Sequence, residues 1–436
     1  MVDERDTAGV ECIEGRRGRG RSGHWRRETL RGERMIRRES SHGIGYSVVE
    51  LHGVRHIFAA AVPRQGDTLR EQTRDALRTI EQVIDEQGTR NSIVHQAVFI
   101  ADSGLIDECR QIIRDFYGEH LPATTFVPQH PCQGNLVAIE ALGVGGGPGR
   151  VEIERRGEQL VIARHGGIAW THVSQIVPTI AEPGVYPRSI NAFEHMRDML
   201  AAVNVRFDQV IRTWLYLGDI VGPEGETQRY KELNRARTDY YENTRFLAQH
   251  VLPGVKETVY PASTGIGTDT CDVVMSCIAM STKRDDLIVR PLENPLQTSA
   301  FDYMACYGPK SPKFSRAMAL TAGDCATLFI SGTASITQAE SQHIEDVEAQ
   351  TNQTLDNIAA LISESNLKSH GLPGRGATLR DMALARVYIK RQEDYEKTRR
   401  VCETRFGELP VIYAVADVCR PELLVEIEGI AFSHAS

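Results

Sequence analysis

Two carboxylates stand two residues apart near the C-terminus, in the segment Val425-Glu426-Ile427-Glu428. A β-strand alternates its side chains between two faces, so a strand here puts Glu426 and Glu428 on one face and the two apolar residues on the other. If that face is buried, charge repulsion and the loss of water both disfavour the ionised forms. A raised pKa then leaves a carboxyl group that can donate a proton. If the face is exposed, the pair is an ordinary acidic surface.

The composition limits the classes of function in which such a carboxyl group could take part. Of the 436 residues, 41% are hydrophobic and 25% are charged, which is typical of a globular protein. The net charge of -8 argues against a general nucleic-acid binder. No apolar run has the length of a membrane span, and no signal-peptide pattern opens the chain. We therefore expect neither a nucleic-acid partner nor a membrane.

Cofactor motifs are missing from the sequence. No HExxH, Walker loop or strand-linked GxGxxG is present, so we predict neither a metal nor a nucleotide cofactor. The nine cysteines are scattered without CxxC pairs. This usage is typical of reduced, mostly buried thiols in a cytoplasmic protein.

Residues 1–43 differ in composition from the rest of the chain. They are rich in Arg, Gly, Glu and Ser, and they carry almost no periodic apolar residues. Such a segment cannot bury enough surface to offset its ordering entropy, so we predict a disordered basic tail. Two alternatives stay open, namely a basic arm for nucleic acid or membrane, and a true start of translation at Met35.

From Gly43 onward, one order of elements recurs three times, with units at residues 44–150, 151–290 and 291–436. Each unit reads as two strands, a helix, a strand, a second helix and two closing strands (ββαβαββ). Gly- and Pro-rich joints at Gly145–Gly149 and Pro291–Pro295 separate the units. Helices on one side of a mixed sheet give an α+β fold. The free face of each sheet needs a partner, so we expect three tandem units to close into an intramolecular pseudo-trimer with three clefts.

The three units differ at the residues that could do chemistry. Where the third unit has Val425-Glu426-Ile427-Glu428, the first reads Val137-Ala-Ile-Glu140 and the second Val273-Val-Met-Ser276. Where the third unit has Ser331-Gly332-Thr333, we align Ala60-Ala-Val62 and Thr171-His-Val173. Only the third copy keeps the first carboxylate and a glycine that admits a ligand to the backbone. We predict one active cleft and two structural ones.

The repeated unit, with Ser331-Gly332 and the terminal VEIE strand, resembles the YjgF/Rid superfamily over residues 44–434. The second and third units resemble the chorismatases more closely, although a complete first unit departs from the shorter N-terminal domain expected of that family. The resemblance implies cleavage of chorismate to pyruvate and a cyclic acid without a cofactor. It is carried by these segments: Arg212-Thr-Trp214, Pro261–Gly267, Glu293-Asn-Pro295, Tyr307-Gly-Pro309, Phe314-Ser-Arg316, Ile330–Ser335, Val387–Arg391 and Cys419–Gly429.

Chorismate carries two carboxylates and an enol ether, so its site needs fixed cations and a proton donor. The resemblance implies that Glu426 is the acid, while Glu428 is a supporting group or a structural acceptor. Gly332 and Cys419 match the pattern of chorismatases that form 3-hydroxybenzoate, and the diene-diol-forming type carries Ala-like residues there. The substrate-binding residues implied are Arg316, Arg237, Arg400, Arg212, Tyr307 and Thr333.

Two other functions remain open at this stage. A Rid-type imine deaminase would hold its substrate carboxylate with an arginine on the strand after the second helix. In the third unit that position is Ile412, with no arginine near it. The second alternative is a non-catalytic protein that binds a small carboxylate in the same cleft.

Overall fold

The computed structural model describes residues 35–251, 258–270, 272–304 and 308–435. The first unit contains six strands and two helices. Their bounds are β1 (Ile36–Ser41), β2 (Ile44–Leu51), β3 (Val54–Ala61), α1 (Leu69–Glu86), β4 (Ile93–Ile100), α2 (Ile106–Tyr117), β5 (Ala123–Pro128) and β6 (Val137–Gly145).

The second unit repeats this order and adds a two-stranded ribbon before its second helix. Its elements are β7 (Glu152–Arg156), β8 (Leu160–His165), β9 (Ile168–Ile176), α3 (Val185–Ala201), β10 (Val210–Gly218), β11 (Pro223–Glu224), β12 (Thr227–Gln228), α4 (Arg229–Tyr241), β13 (Ala262–Thr268) and β14 (Val273–Thr282).

The third unit adds a ribbon and a short helix to the same plan. Its elements are β15 (Ile288–Leu292), β16 (Ala317–Ala322), β17 (Cys325–Ala334), β18 (Ile336–Thr337), β19 (Glu340–Ser341), α5 (Val347–Ile362), α6 (Glu364–Ser369), β20 (Met382–Ile389), α7 (Tyr395–Phe406), β21 (Val411–Val415) and β22 (Val425–His434).

The three units build six-stranded sheets of identical topology. The strand orders are β1-β2-β3-β6-β4-β5, β7-β8-β9-β14-β10-β13 and β15-β16-β17-β22-β20-β21. In each sheet the last strand of the unit lies in the middle, antiparallel to both neighbours. The strand pair that spans the second helix is parallel, because a helical crossover returns the chain in the same direction. The mixed α+β class predicted from the sequence is therefore confirmed.

The helices of each unit cover one face of its sheet. Helix α1 begins at a capping box, in which Thr68 Oγ1 accepts from the Glu71 backbone N–H at 3.3 Å and Glu71 accepts from the Thr68 N–H at 3.1 Å. Its apolar stripe, which includes Leu77 and Ile80, packs in the core of the first sheet. In the third unit, Val425 and Ile427 of β22 share a core with α5. Glu426 and Glu428 therefore point to the opposite face, as strand alternation predicts.

That opposite face packs on the other units. Strand β5 contacts β9 of the second unit, β13 contacts β17 of the third, and β21 contacts β3 of the first. Residues Val425 to Glu428 are accordingly all buried, because helices cover one face of β22 and neighbouring units cover the other.

Three boundaries drawn from the sequence are corrected. Residues 36–41, assigned to the tail, form β1 and pair with β2, and residues 1–34 lie outside the described residues. Strand β15 begins at Ile288 and pairs with β16, so the third unit starts before residue 291. The joint expected at Pro291–Pro295 therefore lies earlier, after β14 ends at Thr282. A proline fits within β15 because this is an edge strand.

A β-bulge also corrects the alignment of the units. In β17 the register with β22 shifts between Ile330 and Thr333, and Ser331 and Gly332 occupy the shift. Strand β9 has the matching shift between Val173 and Ile176, opposite Cys277 and Met275 of β14. The residues of the second unit that correspond to Ser331-Gly332 are therefore Ser174-Gln175. Our alignment with Thr171-His-Val173 was wrong, because a bulge inserts a residue that a strand pattern does not reveal.

Candidate active site

A cavity of about 290 Å³ lies between the second and third units. The second unit contributes α4 and the edge strand β13, and the third contributes β17, β22 and the segment before β16. The backbone N–H of Ser263 donates to Ser331 Oγ at 2.9 Å across this boundary. The lining residues used below are Tyr230, Asn234, Arg237, Ser263, Tyr303, Phe314, Arg316, Gly332, Cys419 and Glu426.

Glu426 presents a carboxyl group to this cavity while being only 5% exposed. Burial and the neighbouring Glu428 carboxylate raise its pKa to about 8, although Arg212 and Arg316 act in the opposite direction. No hydrogen bond from the described residues holds the group. At neutral pH, Glu426 is therefore mostly protonated and has a proton to give.

Glu428 has the opposite protonation state. Burial by itself would raise its pKa, but the Arg212 and Arg386 guanidiniums lower it below the usual value. Its oxygens accept hydrogen bonds from Arg212 and Tyr388 (Oη, 2.7 Å) and from the Trp214 indole (2.9 Å). Thr264 and Arg386 also donate to it. Glu428 is thus a fixed anion behind the cavity.

Gly332 gives the Glu426 carboxyl its space. A Cβ atom on Gly332 would lie 2.0 Å from Glu426 Oε1 and 3.1 Å from Thr264 Cγ2. Its backbone N–H donates to Thr264 Oγ1 at 3.0 Å, which ties the bulge to β13 of the second unit. The glycine predicted from the sequence is therefore needed for close packing of the acid itself.

Two buried arginines supply positive charge on the cavity wall. Arg237 is 1% exposed and donates to Asn234 Oδ1 at 2.5 Å and to Ser263 Oγ at 3.2 Å. Arg316 is 4% exposed and donates to the Thr298 carbonyl at 2.9 Å and to the Tyr303 hydroxyl at 2.8 Å. The Nε atom of each arginine has no partner among the described residues. Each guanidinium therefore has a donor that no described residue uses.

Aromatic and amide side chains complete the wall, and we did not identify them from the sequence. The Phe314 ring lies between the two arginines, 5.3 Å from Arg237 Cζ and 5.4 Å from Arg316 Cζ. Tyr230, Asn234 and Arg237 all line the cavity from α4. Their spacing of four and three residues puts them on one helix face. That spacing was a signal from which Tyr230 and Asn234 could have been found.

Behind Arg316 lies a second carboxyl group, Glu293. It accepts a hydrogen bond from the Arg316 backbone N–H at 3.4 Å, and its other oxygen is buried without a partner among the described residues. Burial raises the pKa of Glu293 to about 7, against the effect of Arg316.

Cys419 lines the cavity close to the acid. Burial and the Glu426 carboxyl raise the pKa of its thiol to about 12. The thiol is therefore protonated at neutral pH and is a poor nucleophile. In the cavity wall it presents a small, polarisable side chain.

Three predicted substrate-binding residues do not reach the cavity. Arg212 is 2% exposed and pairs with Glu428 on the far side of the acid. Thr333 is buried, and its hydroxyl donates to the Ser331 carbonyl at 2.9 Å. Arg400 is exposed on α7 and donates to the Glu396 carbonyl in its own helix. Strand and helix patterns predict whether these side chains are buried or exposed. They do not predict which neighbouring unit each side chain contacts. Tyr307 lies outside the described residues and stays a prediction.

The other two boundaries between units are built differently. At the first, Gln175 occupies the position of Gly332, and its amide oxygen accepts from the Phe126 N–H at 2.8 Å. The space left there is about 10 Å³. At the boundary of the third and first units an open cleft of about 630 Å³ contains Arg399, which is paired with Glu396 and Glu403. Neither boundary has a carboxyl at the position of Glu426, since Val274 and Ala138 stand there.

Ile412, the position at which a deaminase would carry arginine, is fully buried in β21. That strand belongs to the boundary with the first unit, away from Glu426. At the Glu426 cavity the edge strand is β13, and its lining residues are Ser263 and Gly265.

Within the described ranges, no group of three or more His, Cys, Asp or Glu side chains could hold a metal ion. No helix in the described part of the chain is long and apolar enough to span a membrane.

Comparisons with known proteins gave one family model and several curated relatives. Residues 310–433 match the family model described as Endoribonuclease L-PSP. The chain is 34% identical over 232 residues to a 3-hydroxybenzoate synthase of Streptomyces hygroscopicus, and the match covers 51% of this chain and 64% of that protein. It is 32% identical over 274 residues to a chorismatase of Streptomyces rapamycinicus, covering 61% and 77% of the two chains.

A crystal structure of a chorismatase superimposes with a TM-score of 0.62, covering 88% of this chain and 100% of that one. The sequence identity in that comparison is 22%, so it bears on the fold alone. The relative from S. rapamycinicus is more than 30% identical and is matched over more than three quarters of its length. With the fold shared as well, the chain belongs to the chorismatase family.

Proposed function

We propose that this protein is a chorismatase, which cleaves the enolpyruvyl ether of chorismate in the cavity between the second and third units. One observation carries the proposal, namely a mostly protonated Glu426 facing the same cavity as two buried arginines. A substrate with two carboxylates and an acid-labile enol ether needs both features. Membership of the chorismatase family supports the same substrate.

In the proposed reaction, Glu426 transfers its proton to the methylene carbon of the enol ether and leaves an oxocarbenium ion. Water that captures this cation returns a proton to Glu426 and gives a hemiketal, and cleavage of the hemiketal bond to the ring oxygen releases pyruvate. Capture by water consumes one water and gives a dihydroxycyclohexadiene carboxylate. Capture by the ring hydroxyl instead gives a cyclic ketal and returns a proton to Glu426. The ketal then breaks its ketal-carbon bond to one ring oxygen and the ring-carbon bond to the other, so that pyruvate leaves with the second oxygen as its ketone. Loss of a ring C–H proton to the oxygen left on the ring gives 3-hydroxybenzoate with no net use of water. General acid catalysis of this kind contributes about 10²–10⁴-fold to the rate.

Arg316 and Arg237 bind the substrate carboxylates in this proposal. Each is held by neutral partners (Tyr303 and Thr298, or Asn234 and Ser263), and each retains an unpartnered Nε. A guanidinium fixed by neutral groups keeps its charge available, so the cost of ordering it is met before the substrate arrives. Phe314 separates the two cations.

For the product we propose 3-hydroxybenzoate. Gly332 and Cys419, the two positions linked to this outcome, both line the cavity beside Glu426. One of the relatives is itself a 3-hydroxybenzoate synthase. With no methyl group on residue 332, the acid can approach the backbone closely, and the substrate ring can sit deeper in the cavity.

The direct test is incubation of the purified protein with chorismate, followed by liquid chromatography of pyruvate and the cyclic product. Pyruvate with 3-hydroxybenzoate in equal amounts is expected. A dihydroxycyclohexadiene carboxylate would keep the reaction and overturn the product. No consumption of chorismate would contradict the proposal and favour a deaminase or a carboxylate-binding protein.

Glu426→Gln separates an enzyme from a binding protein. We expect this variant to lose turnover by about 10²–10⁴-fold while retaining chorismate affinity, because the amide keeps the shape and loses the transferable proton. Calorimetric titration measures the affinity, and pyruvate release measures the turnover. Unchanged turnover would rule Glu426 out as the acid.

We further propose that the three units form an intramolecular pseudo-trimer around a common axis. The identical sheet orders support this, and so do the contacts of each edge strand with the next unit. Sedimentation as a 48.5 kDa monomer is the expected result, and a species of three chains with exchanged units would contradict it. The absence of cofactor and of nucleic-acid partners, and the cytoplasmic location, stay predictions.

A further inference from the structure

Four buried charges from three units form one cluster behind the cavity. Glu140 of the first unit binds Arg386 of the third through two parallel hydrogen bonds, from Nε at 2.6 Å and from Nη2 at 2.8 Å. Arg386 Nη1 donates to Glu428 at 3.2 Å, and Arg212 of the second unit also donates to Glu428. All four side chains are at most 7% exposed. The cluster contains two positive and two negative charges and is therefore neutral.

In the first unit, Glu140 does not stand beside a carboxyl that could act as an acid. The residue two positions before it is Ala138, so the first unit lacks the carboxyl that would correspond to Glu426. A buried carboxylate is costly unless it is paired, and the described charge that pairs with Glu140 belongs to the third unit. In the three sheets, the residues opposite Glu140, Ser276 and Glu428 are Ala97, Trp214 and Arg386. A single arginine thus faces the glutamates of two units.

We propose that Glu140 is a positioning residue for the catalytic acid, because its pairing with Arg386 offsets one of the two arginine charges beside Glu428 and keeps the cluster behind Glu426 neutral. The inference rests on the proposed role of Glu426 in chorismate cleavage. It gives the complete first unit a part in the chemistry of a cavity that this unit does not line.

Without Glu140, two effects would act on Glu426 in the same direction. The cluster would carry one net positive charge, which favours an ionised carboxyl nearby. The positive charge of Arg386 would also no longer be shared with Glu140. It would offset more of the negative charge of Glu428 and so weaken the repulsion between Glu428 and Glu426. The titratable groups around Glu426, on its own strand and on the elements packed against it, include Glu428, Arg212, Arg316, Tyr230, Cys419 and Tyr388, which lies opposite it on β20.

The test is an infrared titration of the full-length protein. The carbonyl band of protonated Glu426 is assigned by its loss in Glu426→Gln, which separates it from Glu293. We expect Glu140→Gln to lower the midpoint of this band by about one pH unit. The double variant Glu140→Gln/Arg386→Gln, whose cluster is again neutral, should return the midpoint close to that of the wild type. Arg386→Gln alone should move it upward, which keeps the test decisive if Glu140→Gln does not fold.

Glu158→Gln is the matched control. It also removes a carboxylate of one unit that pairs with an arginine of another, Arg114, but on the surface. We expect no change of the Glu426 midpoint in this control. The upper limb of the kcat profile with pH should move with the infrared midpoint. Unshifted midpoints in folded Glu140→Gln and Arg386→Gln would overturn the inference. A wild type that does not consume chorismate would instead overturn the proposed function, because the infrared titration needs no turnover.

Discussion

A carboxyl that protonates carbon at neutral pH has to keep its proton until the substrate arrives. Glu426 does so because burial and Glu428 outweigh the two nearest arginines. Glu428, two residues away, stays ionised because five donors surround it. One strand face therefore holds an acid and an anion. The difference depends on what the neighbouring units offer each side chain.

The free energy of unfolding should depend on pH through the titration of Glu426. Its pKa rises from 4.5 to about 8 on folding, so the folded state binds more protons between these values. The stability from this group is present at low pH and is lost as the pH rises toward about 8. Chemical denaturation of wild type and Glu426→Gln should show the variant gaining relative to the wild type across this range. A constant difference between the two would contradict the raised pKa.

Gly332→Ala tests the close packing of the acid. The added methyl would overlap Glu426 Oε1, so the carboxyl has to move. We expect kcat to fall by about 10-fold or more and the product to shift from 3-hydroxybenzoate toward the dihydroxycyclohexadiene acid, as chromatography would measure. Gly45→Ala serves as the control, because a Cβ there meets no atom within 4 Å. An unchanged product ratio in Gly332→Ala would show that residue 332 does not determine which product forms.

At the scale of single elements, α4 and the bulge of β17 do most to form the site. One face of α4 carries Tyr230, Asn234 and Arg237 into the cavity. The bulge pairs two residues of β17 with one of β22, and so brings Gly332 under Glu426. Both devices sit at the contact of two units.

Arg237→Met should weaken substrate binding. Methionine keeps much of the buried apolar stem but cannot bind a carboxylate, and a hydrogen bond to a charged group contributes about 1.5–3 kcal/mol. We expect KM for chorismate to rise by about 10–100-fold, with a smaller effect on kcat, in steady-state assays of pyruvate release. Arg235→Met is the control, since Arg235 lies on the outer side of the same helix and pairs with Glu232. Equal effects of the two substitutions would refute a specific role for Arg237.

The sequence was sufficient for most of the elements and for part of the site, but each unit begins with three strands and not with the predicted two. Hydrophobic periodicity predicted the three repeated units, and the carboxylate pair with Gly332 led to the acid. The sequence did not tell which of the arginines reach the cavity, because this depends on packing between units. Arg237 and Arg316 face the cavity, whereas Arg212 is turned toward Glu428 and Arg400 toward solvent. The bulge in β9 was missed because its extra residue leaves no mark in an alternating pattern.

On the scale of the whole molecule, the contacts between units are lined by buried histidines. His56 and His165 have ring centroids 4.7 Å apart, and those of His95 and His172 are 5.5 Å apart. Each pair joins the first unit to the second. Burial lowers all four pKa values, that of His165 to about 4 and that of His172 to about 3. The packing of the units therefore requires neutral imidazoles.

Acid should weaken the contact between the first and second units, because the buried histidines there become protonated. Each buried histidine has a pKa of 6.5 when unfolded and a lower one when folded, so the unfolded state binds more protons. Stability is lost as the pH falls from about 6.5 toward about 4. Denaturant midpoints measured across this range should fall steeply in the wild type and less in His172→Gln. His120→Gln, at an exposed histidine, should keep the wild-type slope. A wild-type midpoint that stays constant would contradict this account.

The pairing of Glu140 with Arg386 has a consequence for how this architecture can be assembled. In a ring of three copies of the first unit, three Glu140 carboxylates would lie buried with no arginine to pair with, because Ala97 stands at the position of Arg386. In the tandem chain the third unit supplies Arg386 to the single Glu140. The units are therefore not interchangeable. If the three were produced as separate polypeptides, the first unit should need the third to assemble and should not form a ring with copies of itself.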